Sequence, residues 1–236
     1  MGESSTVPAE YVDRLESLHE ATRRLIEAQG EREVADVAVE AAADVLRFPY
    51  SIVWEADHST GQLSARAVSE AVSEQTGDER MVHEQDDYLW EYFERDTPSQ
   101  VEVTGEKAAG PVPTHNSITV PLGEYGLLSA GASPGASIDD AEVRLAAVLG
   151  KNVQAALSRS EREDRLAEQR DGLKLLNGIV RHDIRNDLQI VQAAVEQLTA
   201  EADTEADAVE MIRDRTASAV ELTRTARELA EAMLQT

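Results

Sequence analysis

Hydrophobic positions along this chain change their period twice. From Tyr11 to Ile26 they fall at Tyr11, Leu15, Leu18, Leu25 and Ile26, with Thr22 filling the gap. Steps of three and four predict an amphipathic helix with a coiled-coil-like seam. Gly30 ends it. A second helix is predicted from about Glu31 to Arg47, with Val34, Val37, Ala38, Ala41, Val45 and Leu46 on one side and Pro49 as its stop.

The period then shortens. Tyr50 to Glu55 alternates as a strand does, Asp57 to Gly61 carries turn residues, and Leu63 to Val68 reads as the returning strand. The polar stretch from Ser69 to Gln85 predicts nothing definite. Asp86 to Phe93 predicts a short helix bearing Tyr88, Leu89, Trp90, Tyr92 and Phe93, and Val101 with Val103 suggests another strand. Gly105 to Thr114 is rich in Gly, Pro and Ala and reads as loop. His115 to Leu122, Gly123 to Gly126 and Leu127 to Gly131 read as a hairpin. Strands in the middle with helices at both ends predict an α+β arrangement, an antiparallel sheet covered by helices.

The helical period returns after Ser137, a good N-cap, with Asp139 and Asp140 in the favourable first turn. Only Gly150, Gly172 and Gly178 interrupt the segment Ile138 to Ala200, and it contains no proline. Nearly continuous helix is expected there, far longer than the average of about 11–12 residues. A break is expected at Glu201 to Glu205. A last helix follows to about Leu234, with Val209, Ile212, Thr216, Ala219, Thr223, Ala226, Ala230 and Met233 in steps of three and four. The last two helices are expected to fold back as an antiparallel hairpin.

Composition narrows the function classes. The net charge is −24 and lysine is confined to Lys107, Lys151 and Lys174. Such an excess disfavours nucleic acid and anionic membrane as partners, since both are negative. Acid excess with scarce lysine resembles the proteins of salt-accumulating halophiles. There is no cysteine, which excludes disulfides, zinc–thiolate sites and thiol-linked chromophores. No apolar run approaches the roughly 20 residues of a membrane span. Met1 to Glu10 lacks a signal-peptide core, so a cytoplasmic location is expected.

The segment that carries chemistry begins at Leu173. Its seam is Leu173, Leu176, Val180, Ile184, Leu188, Val191, Val195 and Leu198. His182 lies two residues from both Val180 and Ile184, and at about 100° per residue it points away from the seam. A neutral imidazole is a competent nucleophile near neutral pH. Asp183 could hold one ring nitrogen and leave the other free to attack. Asn186, one turn on, could orient a water, and Arg185 could neutralise phosphate charge. An ordinary solvated helix face fits the same residues, and for Arg185 fits equally well. His19, His58, His83 and His115 are scattered without metal-ligand spacing.

His182-Asp-Ile-Arg-Asn186, preceded by Leu176-Asn-Gly-Ile-Val180 and followed by Leu188, resembles the H-box of sensor histidine kinases. The spelling is especially similar to haloarchaeal members. The resemblance covers about Asp171 to Met233. It implies a dimerisation and phosphoacceptor hairpin that pairs into a four-helix bundle. It also implies that His182 accepts the γ-phosphoryl group of ATP and passes it to a response-regulator aspartate. By position Asp183 matches the acidic neighbour, and Asn186 the residue implicated in dephosphorylating the regulator. Many members have proline five residues after the histidine, where this chain has Asp187. Less specifically, Ser117 to Gly131 followed by the helix to Leu157 is similar to the end of a GAF sensor domain, and the early helices and Trp54 strand to its beginning.

The resulting expectation is a polar segment at residues 1–13, a GAF-like sensor domain at 14–157, a signalling-helix linker at 158–170 and a phosphotransfer hairpin at 171–236. No GxGxxG or GxxxxGK[ST] pattern appears. No cofactor is therefore expected in this chain, and ATP would be held by a catalytic domain in trans or on a further C-terminal part. The expected partners are a second copy, a response regulator, a histidine-kinase ATP-binding domain and a small ligand of the sensor domain. The rival expectation is a non-enzymatic dimeric regulator acting through coiled-coil contacts.

Overall fold

The computed structural model describes residues 9–76, 81–84, 88–95, 97–102, 116–200 and 205–233. The expected loop at 105–114, the strand residue Val103 and most of the break at 201–205 lie outside them. Two compact units divide between Arg162 and Glu163.

The first unit opens with α1 (Ala9–Glu27) and α2 (Gly30–Leu46). In α2 nine residues are buried, among them Val34, Val37, Ala38, Ala41, Val45 and Leu46 as the pattern predicts, together with Ala35, Val39 and Ala42. Arg47, in the left-handed region at φ 60°, closes the helix before Phe48 and Pro49. α1 departs from its expected seam. Leu18, Ala21, Leu25 and Ala28 face the core, whereas Tyr11, Leu15 and Ile26 are exposed. The middle of the expected seam, Leu18 and Leu25, is thus packed and joined by Ala21, while its outer members face away from the core.

A six-stranded antiparallel sheet follows: β1 (Tyr50–Asp57), β2 (Gln62–Val68), β3 (Val82–Glu84), β4 (Ser99–Glu102), β5 (Asn116–Pro121) and β6 (Gly126–Gly131), in the order β3-β2-β1-β6-β5-β4. β3 and the short helix α3 (Glu70–Thr76) fall in the stretch whose sequence predicts nothing definite. Asp57 shapes the β1–β2 turn by accepting from the Ser59 hydroxyl at 2.6 Å and the Ser59 amide at 2.8 Å. Bonding from the Ser59 side chain, then Thr60, holds its carboxyl down to about 2. The turn joining β5 to β6 is a 3₁₀ turn, Gly123–Tyr125. Gly126 has φ 135°, and a Cβ there would lie 1.9 Å from the Trp54 carbonyl oxygen, so only glycine fits.

The sheet is covered on both faces. One face, with Val53, Ala67, Ile118, Val120, Leu128 and Ala130, packs under α1, α2 and the start of α5 (Asp140–Ala200). The other, with Ile52, Trp54, Leu63 and Leu127, packs under α3 and α4 (Tyr88–Glu94) through Val72, Leu89 and Trp90.

α5 is a single helix of 61 residues. Its cap is Asp139 rather than the expected Ser137. The Glu142 amide donates to Asp139 Oδ1 at 2.8 Å, and the Asp139 amide donates back to Glu142 Oε2 at 2.9 Å. Reciprocal pairing of this kind satisfies two orphan helix donors at once, which a lone serine cannot. The second unit comprises α5 from Glu163 onward and α6 (Glu205–Met233).

Candidate functional site

His182 lies on α5 in the second unit, its side chain 83% exposed, as its position off the seam predicts. Its Nδ1 is 3.1 Å from Asp183 Oδ1. A carboxylate oxygen accepts, so Nδ1 is the donor of this pair and Nε2 is the ring nitrogen the pair leaves over. The structure therefore brings together His182 and Asp183. Asn186 is exposed one turn further on, beside the exposed Arg185. Val180 and Ile184, flanking the histidine by two residues, are half-buried.

One departure from the expected seam matters here. Asp187 is only 7% exposed, whereas Leu188 is 58% exposed. The path 184–187–191 uses the same three-and-four steps as 184–188–191, and Arg215 on α6 decides between them. Its Nη1 lies 3.6 Å from Asp187 Oδ1. Around this pair Ile184, Leu188, Val191, Ala219 and Val220 line an apolar groove. The side chains of Leu176, Leu198, Val209, Ala230 and Met233, also named in the seams, lie outside the described residues.

The first unit carries an aromatic cluster on one face of the sheet and a cavity on the other. On the face under α4, Trp90 and Phe93 pack edge-on at 5.1 Å, and His83 packs edge-on against Trp54 at 4.8 Å. Trp54 Nε1 donates to Ser129 Oγ at 3.1 Å. On the opposite face a cavity of about 240 Å³ is bounded by Glu31, Val53, Arg66, Tyr125, Leu157 and Glu161. The Tyr125 hydroxyl donates to Glu161 Oε2 at 2.8 Å, and burial raises the phenol's pKa, keeping it a donor. Sequence patterning does not reveal Tyr125 and Glu161, because 36 residues separate them. Among the described residues there is no cluster of three or more metal-ligating side chains, and no helix is long and apolar enough to cross a membrane.

No family model and no curated protein matches this chain. Solved structures do. The GAF domain of a phosphoenolpyruvate-protein phosphotransferase from Coxiella burnetii is 16% identical, with a TM-score of 0.55 over 65% of this chain and 98% of that one. A fragment of a methyl-accepting chemotaxis protein is 17% identical, with a TM-score of 0.50 over 62% of this chain and 98% of that one. A bacteriophytochrome from R. palustris is 8% identical, with a TM-score of 0.56 over 78% of this chain but 46% of its own. At these identities the likeness is one of fold, and the fold is GAF-like, a curled antiparallel sheet with helices.

Proposed function

We propose that this chain is the sensor and phosphoacceptor portion of a two-component signalling system, a histidine kinase of haloarchaeal type. The GAF-like fold supports the sensor role, since structures of similar fold include a chemotaxis protein and a bacteriophytochrome. The observation that carries the phosphoacceptor role is the solvent-facing His182 with Nδ1 held by Asp183. His182 Nε2 attacks the γ-phosphorus of ATP held by a histidine-kinase catalytic domain. The P–N bond forms as the bond to the bridging oxygen breaks and ADP leaves. Asp183 stabilises the imidazolium character that develops. A response-regulator aspartate then attacks phosphorus, the P–N bond breaks, and His182 regains its neutral ring. Arg185 lies near enough along the helix to neutralise phosphate charge, and Asn186 orients the water that later dephosphorylates the regulator.

The exposed Leu188, Val195 and Val220 support pairing with a second copy, in which α5 and α6 act as a hairpin within a four-helix bundle. A small molecule at the GAF-like unit is the input, and the working location is the cytoplasm.

The test is incubation with labelled ATP, with and without an active histidine-kinase catalytic domain. The expected result is acid-labile, base-stable label that requires that domain and vanishes in His182→Ala. Label that persists in His182→Ala refutes the assignment. No label with any active domain favours the non-enzymatic dimeric regulator instead.

A further inference from the structure

The two layers of the GAF-like unit are separated by the sheet, yet a short chain of contacts runs around the sheet's end. On the outer face Phe93 of α4 packs against Trp90. The Phe93 ring also lies 5.7 Å from the ring of His58, in the β1–β2 turn. His58 Nε2 donates to the carbonyl oxygen of Glu124 at 2.9 Å. Glu124 belongs to the turn between β5 and β6, whose next residue, Tyr125, donates to Glu161 of α5. The same turn rests on α5 at a second point, because Gln154 lies over Gly123 so closely that a Cβ there would be 2.3 Å from Gln154 Nε2.

We propose that the β5–β6 turn is the coupling element that carries a change in the outer aromatic layer to α5, with His58 and Tyr125 as its two anchors. A coupling element needs an alternative arrangement to move into. Close-packed cores offer none, but Tyr125 stands on the wall of the cavity it shares with Leu157 and Glu161. Its ring lines that cavity, and its hydroxyl is fastened to α5 through Glu161, with Ser158 as a further hydrogen-bond partner. Glu161 is among the last residues of the first unit, so the bond fastens α5 just before that helix passes into the segment bearing His182. The importance of this for output rests on the proposed reading of α5 as the signalling helix; the coupling itself does not.

The experiment is hydrogen–deuterium exchange on the full chain, comparing the wild type with Tyr125→Phe and His58→Phe. Each variant keeps an aromatic ring and loses its hydrogen bond. Exchange across 157–163 of α5 is expected to rise about fivefold in both, the factor that one hydrogen bond of ordinary net strength is worth. The double variant is expected to rise no further than the larger single one, since both act through one turn. His58 has no contact with α5 among the described bonds, so its effect there is the remote readout. Phe93→Leu, which keeps all of these hydrogen bonds, is expected to shift the same segment in the same direction. Unchanged exchange at 157–163 in His58→Phe overturns the proposal, whatever Tyr125→Phe does. Phosphoryl transfer plays no part in this measurement, so a failure to label His182 and a failure of coupling are distinguishable.

Discussion

At His182 the chemistry turns on which ring nitrogen keeps its lone pair. In the proposed phosphotransfer, Asp183, 3.1 Å from Nδ1, fixes that choice and faces the positive charge that phosphorylation of Nε2 would create. An asparagine in its place can still accept a hydrogen bond but supplies no charge. Asp183→Asn is therefore expected to slow labelling of His182 by about tenfold to a hundredfold, toward the low end of general acid–base effects because the site is wet. Initial rates with saturating catalytic domain measure this, and an unchanged rate removes Asp183 from the mechanism. This pair was legible in the sequence because the two residues adjoin on a helix whose seam fixes which way each points. The Tyr125–Glu161 bond was not, since nothing local in either segment refers to the other.

The elements of the second unit are held by few described polar contacts, and the Asp187–Arg215 pair is the most buried. Asp187 is largely inside while Arg215 is about half exposed, so the two ends of the pair are unequal. Removing Arg215 strands a buried carboxylate, whereas removing the carboxylate leaves a guanidinium that water can reach. Arg215→Gln is thus expected to cost about 2 kcal/mol and Asp187→Asn about 1 kcal/mol, with a coupling of about 0.5–1 kcal/mol in the double variant. Urea unfolding of the three variants tests the order, and a costlier Asp187→Asn contradicts it. Elsewhere α2 shows how far pattern alone reaches. Every position expected to be apolar is buried, yet three further residues are buried as well, because both the sheet and α1 close over it. On α1 the same rule found Leu18 and Leu25 on the packed face, but it also counted Tyr11, Leu15 and Ile26, which are exposed, and omitted the buried Ala21.

Across the whole molecule the net charge of −24 acts on every element at once. Exposed acids repel one another over about a Debye length, roughly 10 Å at 0.1 M salt and 3 Å at 1 M. Raising potassium chloride from about 0.1 M to about 2 M is expected to raise the melting temperature by about 5–10 °C, equivalent to a few kcal/mol of relieved repulsion. Calorimetry across that series tests it, and a flat or falling melting temperature shows that repulsion does not limit stability. Salt is expected to act least on the buried core of α2 and the sheet, where apolar contacts dominate.

What the sequence determined by itself was whatever depends on near neighbours along the chain. The helical and strand periods, the turn at Asp57, the unbroken run of α5 and the outward direction of His182 all follow from spacing and local propensity. Tertiary structure decided what depends on equal local alternatives. It chose Asp187 over Leu188 as the buried residue because Arg215 stands opposite. It also made β3 and α3 from a polar stretch whose only instruction is the neighbouring strand and sheet face. In each case the deciding partner is one that no local periodicity encodes, so only the folded chain could choose.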